Sequence, residues 1–125
     1  MHDPADGAFQ LGCPGVRFEQ ITDGLSNVIL AGEKQVPLGA FGVGWLDCST
    51  YNGDYPHCFA RSGGKGHRLA RSIFEVSWTF GSDHFGVVQF AFCDGSVRPL
   101  PITIDPVVLG QLTNIDDGLP VGGVY

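Results

Sequence analysis

The 125-residue sequence predicts a β-rich α+β domain. Its expected architecture is an antiparallel sheet of about four to six strands, built around a hairpin at residues 87–102, with one or two short helices and long glycine-rich loops. Three observations carry that prediction. The chain holds 19 glycines and 8 prolines, which favours short strands and turns over long helices. Residues 87–93 form an apolar run broken only by Gln89 and closed by Asp94-Gly95, a dipeptide suited to a tight hairpin turn. Asp105-Pro106 reads as an N-cap followed by proline at the first helical position. A chain of this length has room for one domain with a modest core.

Residues 1–17 carry Asp3-Pro4, Gly7, Gly12 and Pro14-Gly15, and are expected to form an extended arm ahead of a globular unit at 18–113. Residues 18–33 are ambiguous. Ile21, Leu25, Val28 and Ile29 fit one helical face, while 28–31 also fit a buried strand. Gly24, Gly32 and the β-branched residues weigh against a long helix. The expectation is one helical turn capped by Thr22 or Asp23, then a central strand over 27–33.

Residues 34–44 read as loop and 45–51 as a short strand, while 52–71 form the longest irregular stretch and are expected to be mobile. Residues 72–80 alternate, with Phe74, Val76, Trp78 and Phe80 on one face, which predicts a half-buried strand with Trp78 in the core. A two-residue type I′ turn at Asp94-Gly95 pairs Cys93 with Ser96, Ala91 with Arg98 and Gln89 with Leu100, placing Cys93 on the Gln89–Ala91 face. Pro99 and Pro101 then fall where the backbone nitrogen points away from the partner, so the return strand must be a sheet edge. The helix beginning at Pro106 runs to Leu112 or Thr113, with Val108, Leu109 and Leu112 facing the core. Residues 114–125 are expected to be a tail.

The formal net charge of −6 excludes a phosphate-backbone partner, and the cluster Arg61, Lys65, Arg68, Arg71 reads as a solvated loop. No apolar run reaches the roughly 20 residues of a membrane-spanning helix, so this segment is expected to make no membrane contact. Four cysteines allow three pairings. Cys48 and Cys58 bracket a segment with Asn52-Gly53 and Tyr55-Pro56, where a chain reversal can bring them to bonding distance. For Cys13 and Cys93 both a second bridge and free buried thiols stay open.

His84 and Asp94 invite a catalytic or metal dyad, but residues 87–93 alone span roughly 23 Å when extended. The two therefore belong at opposite ends of the strand, Asp94-Gly95 serving the turn and His84 capping the Gly81-Ser82-Asp83 corner. His57, His67, Asp47 and Asp54 share the long loop region with Cys48 and Cys58, yet match no compact metal motif, and no metal, cofactor or catalytic residue is assigned. Trp45, Tyr51 and Tyr55 are candidates for a ligand platform.

His84, nine residues, then Asp94-Gly95-Ser96-Val97-Arg98, preceded by Phe80-Gly81-Ser82, resembles the signature of a large planctomycete family of prepilin-type, or pseudopilin-like, proteins of unknown function. The block Ile21-Thr22-Asp23-Gly24-Leu25-Ser26-Asn27, its apolar run and Gly32-Glu33 are similar to a second family segment, and Asp105-Pro106-Val107-Val108 with Leu112 to a third. Members usually begin with a prepilin leader and a long apolar helix, whereas this sequence opens on the polar stretch 2–7. The resemblance therefore implies the C-terminal part of such a protein.

It implies a pilin-head-like fold in which His84, Asp94, Gly95, Asp23, Gly24, Ser26, Asn27 and Glu33 are structural. It also implies a non-enzymatic head acting in assembly, secretion-linked interaction or surface display through protein partners or self-association. The location implied is the cell envelope if the N-terminus is truncated, against the cytoplasm if Met1 is native. The alternative is a small ligand- or carbohydrate-binding module on the loop aromatics, and a metal-dependent hydrolase stands third.

Overall fold

A computed structural model describes residues 7–8 and 15–115. Among these residues three antiparallel strands form one sheet, β1 (Ile29–Gly32), β2 (Val87–Phe92) and β3 (Val97–Pro101), with β2 in the middle, and two short helices accompany it, α1 (Pro56–Phe59) and α2 (Pro106–Thr113). The chain is thus a small α+β domain. Among the described residues no helix is long and apolar enough to cross a membrane.

The sheet is narrower than the sequence predicts, because two expected strands do not form. Residues 45–51 fold largely as turns. Residues 72–80 meet the neighbouring backbone only at separate points: the Leu38 amide donates to the Ile73 carbonyl at 2.6 Å, and isolated bridges join Ser62 with Thr79 and Lys34 with Phe80. The first half of that segment is a turn fastened by its own polar groups: the Glu75 amide donates to the Ser72 carbonyl, and the Ser72 hydroxyl accepts from the Phe74 amide. With no strand beside it, the apolar face stays outside as far as Trp78, leaving Phe74 66%, Val76 63% and Trp78 44% exposed, and only Phe80 packs against the core.

β1 is also an edge rather than the central strand. It pairs Ile29 with Phe92 and Ala31 with Ala91, so Leu30 is the extra residue of a bulge. The helical turn before it covers Leu25–Asn27, and its N-cap is Gly24 at φ +93°, not Thr22 or Asp23. A further single turn covers Phe18–Gln20, where the Gln20 side chain accepts from the Arg17 amide.

β2 and β3 pair with a register one residue from the expected one. Phe90 faces Arg98, Val88 faces Leu100, and the Phe92 amide donates to the Ser96 carbonyl at 2.8 Å. The connection therefore has three residues, Cys93, Asp94 and Gly95, and of these only Gly95 has a positive φ, +88°. That is the pattern of a turn followed by a left-handed glycine rather than type I′, which demands positive φ at Asp94 too. The slip leaves β3's parity unchanged. Hydrogen bonding at Ser96 and from the Ile102 amide to Gly86 keeps the Pro99 and Pro101 nitrogens pointing away from β2, on the outer edge. Cys93 leaves the Gln89–Ala91 face and is buried in the turn.

α2 begins where Asp105-Pro106 predicts. The Asp105 carboxylate accepts the Val107 amide at 2.8 Å, and Leu109 and Leu112 are fully buried. They meet Ile29, Leu69, Val88, Phe90, Phe92, Leu100 and Ile104 in the main core, with Phe80, Ile102 and Val108 at its margin. A second small cluster joins Ile21, Val28, Cys93 and Ile115 near the β2–β3 turn. Gly32 is required by the packing above it. A Cβ there would lie 2.5 Å from the Phe90 ring and 2.8 Å from that of Phe80, two rings packed edge to face at 5.1 Å. Most of the arm and tail, including Cys13, lies outside the described residues.

Candidate functional site

The polar residues of the family-like segments fall into two groups, at opposite ends of β2. At its start, the Glu33 carboxylate reaches across from the end of β1. Oε2 accepts the Gln89 amide at 2.7 Å, and Oε1 lies 3.0 Å from His84 Nε2. The backbone of Glu33 accepts from the Gly81 amide at 3.1 Å. The His84 side chain thus serves Glu33 instead of capping its own corner. Ser82 closes that corner, accepting the His84 amide at 3.1 Å and donating to the Val87 carbonyl at 2.6 Å.

At the far end, residues 21–28 wrap the β2–β3 turn. The Asp94 amide donates to the Leu25 carbonyl at 3.0 Å and the Cys93 amide to Val28 at 2.9 Å. Asn27 Nδ2 donates back to the Asp23 carbonyl at 2.9 Å, tightening the wrap, and Arg98 reaches the Ser26 carbonyl. The Arg98 guanidinium also sits 3.5 Å from the centre of the Phe92 ring. The Asp94 carboxylate accepts from the Ser96 hydroxyl at 2.6 Å and amide at 2.9 Å, and these bonds hold its pKa below the usual carboxylate value. Burial, then the negative charge of Asp94, pushes the Cys93 thiol up. His84 and Asp94 are separated by the six-residue strand, about 20 Å of extended chain.

The third feature lies off the sheet. A disulfide joins Cys48 and Cys58, whose Cα atoms are 5.0 Å apart. The Lys34 ammonium donates to the Cys48 carbonyl at 3.0 Å and the Cys58 carbonyl at 3.4 Å, and pairs with Asp47 at 3.0 Å. Asp47 in turn accepts the Gly42 amide at 2.7 Å. That bond first, and Lys34 second, holds the Asp47 carboxyl below its ordinary pKa. Arg61 donates to the His57 and Ala60 carbonyls, both at 2.7 Å, and lies over the Trp78 ring at 5.4 Å.

Along this edge four rings touch in sequence: Trp45 to Trp78 at 5.9 Å, Trp78 to His57 at 5.6 Å, and His57 to Tyr55 at 5.5 Å. Trp78, expected in the core, belongs to this exposed row, while Tyr51 is 97% exposed and makes none of these ring contacts. His67 pairs through its backbone with Gly64 and is not in the group that Cys48, His57 and Cys58 form, and His84 is engaged with Glu33. Within residues 52–71, Cys58 is joined by the disulfide and by Lys34. Arg61, expected in a solvated loop, instead turns onto the His57, Ala60 and Gln35 carbonyls. The contacts of Lys34 and Arg98 escaped the sequence reading because their partners lie 14 to 72 residues away. No local pattern marks such contacts.

Fold and site together define a small α+β domain whose most distinctive polar residues are tied into its own backbone. A family model described as a protein of unknown function (DUF1559, SBP_bac_10) matches residues 2–107, and the chain belongs to that family. No curated protein and no solved structure matches.

Proposed function

We propose that this domain is the non-enzymatic globular head of a pseudopilin-like envelope protein, acting in assembly, secretion-linked interaction or surface display. Its partners in this reading are other envelope proteins or further copies of itself. The observation that supports it most is how the polar residues of the family-like segments are spent. Glu33, His84, Asp94, Asn27 and Arg98 bond to backbone carbonyls, backbone amides or one another at the two ends of β2. Such residues hold a scaffold in shape, and a scaffold of fixed shape is what an assembly subunit needs.

In-cell photo-cross-linking tests the proposal. A photoreactive residue is placed at Tyr51 or at Val97, both exposed. The expected result is adducts to envelope proteins or to a second copy, recovered in the envelope fraction. A protein found only in the cytosolic fraction, without adducts, overturns the reading.

A further inference from the structure

The Cys48–Cys58 loop contains more than a disulfide. One ligand atom each from Cys48, His57 and Cys58 lies within 4.8 Å of the others, and no other group of three or more such side chains gathers among the described residues. We propose that, once the disulfide is reduced, Cys48, Cys58 and His57 form a zinc site with two thiolates, one imidazole and an open fourth position.

Two features of the geometry support this. First, the cysteines are held together by more than their sulfur–sulfur bond. Lys34 grips both backbone carbonyls with a single ammonium and is itself anchored by Asp47. Reduction removes the covalent bond and leaves that clamp, so the two thiols stay as neighbours. Tetrahedral zinc with bonds of about 2.3 Å needs its sulfurs about 3.8 Å apart, which side-chain rotation supplies on Cα atoms 5.0 Å apart. Second, the imidazole is already placed. Rings of Tyr55 and Trp78 flank it, and Arg61 fixes its backbone carbonyl. Two sulfurs and one nitrogen suit zinc, whereas calcium and magnesium take oxygen ligands.

The chemistry balances simply. A reducing dithiol gives two electrons and two protons to the Cys48–Cys58 bond and becomes a disulfide itself. Zn²⁺ then replaces the two thiol protons, which pass to solvent, and takes one ring nitrogen of neutral His57. Oxidation reverses the sequence and expels the metal. Lys34 is a positioning residue in this scheme, and the inference stands independently of the assembly role.

The test uses the full chain with Cys13→Ser and Cys93→Ala, which leaves Cys48 and Cys58 as the only thiols. Reduced with a phosphine and titrated with Co²⁺, it is expected to bind one ion per chain with thiolate-to-cobalt charge-transfer absorption. Zn²⁺ should displace that ion, and direct Zn²⁺ binding should release two protons. The oxidised protein should show no such spectrum. His57→Ala and Lys34→Met should each weaken binding by at least about tenfold, while their circular dichroism in the oxidised state stays that of the parent.

Reduced protein that binds no tighter than a Cys48→Ser, Cys58→Ser variant overturns the proposal. So does unchanged affinity in His57→Ala. Loss of the folded signal on reduction overturns it too, because the Lys34 clamp is then insufficient, and the double serine variant checks that point without any reductant.

Discussion

Glu33 Oε1 lies 3.0 Å from His84 Nε2, while Oε2 of the same carboxylate accepts the Gln89 amide at 2.7 Å. The two bonds are not equal. His84 is more than half exposed, so its pairing is screened by water and is worth at most about 1 kcal/mol. The Gln89 amide belongs to the middle strand, and removing its acceptor costs about 1–3 kcal/mol. Glu33→Ala is therefore expected to lower the urea midpoint clearly, and His84→Ala only slightly. Hydrogen exchange at the Gln89 amide should accelerate in the first variant and hold in the second. Equal losses in the two variants would falsify this ranking.

Gly32 supplies a second prediction. Its missing side chain is where the Phe80 and Phe90 rings meet, and a Cβ there overlaps both. Gly32→Ala forces one ring out of place and should cost about 1–3 kcal/mol. Combining it with Phe90→Leu should show positive coupling, the double variant being more stable than the sum of the single changes predicts. Additive losses in chemical denaturation would mean that the rings do not compete with the new methyl.

How far the chain could be read depends on whether each signal was local. Asp105-Pro106 marks its helix because the cap bond reaches only to Val107. The apolar run of β2 and the parity of Pro99 and Pro101 likewise needed nothing distant. The register slipped because Asp94-Gly95 suits both a two-residue and a three-residue loop, and the choice turns on the φ of Asp94 alone. Residues 72–80 misled for a different reason. Alternation states that a segment has two faces, but whether either face is covered depends on a neighbouring strand, and none arrives. The Lys34 clamp was invisible because its partners, Cys48 and Cys58, are neighbours only after the loop closes.

The three-residue loop can itself be checked. Only Gly95 needs the left-handed conformation there, so Gly95→Ala should cost about 1–2 kcal/mol. Gly95→Asn should cost less, since asparagine tolerates that region better. In nuclear magnetic resonance spectra, close Hα–Hα contacts are expected at the non-hydrogen-bonded pairs Ala91 with Val97 and Gln89 with Pro99. Contacts shifted by one residue along β2 would restore the two-residue turn.

Stability should also fall in acid, and two carboxylates set the direction. Asp47 has a lowered pKa through the Gly42 amide and Lys34. For Glu75, burial works to raise the pKa, but the Arg71 amide and the charge of Arg68 outweigh it and leave the group below its ordinary value. A carboxylate with a depressed folded pKa binds protons more readily in the unfolded chain. Its contribution is therefore complete above the unfolded pKa of about 4, and disappears as pH falls through the folded value. Urea midpoints measured from about pH 6 down to pH 2 should decline below about pH 4 in the parent. Asp47→Asn and Glu75→Gln should start lower at neutral pH and decline less steeply, each having lost one group whose protonation drives the change. A variant that keeps the parent's full acid slope would show that its carboxylate is no more strongly held in the folded chain than in the unfolded one.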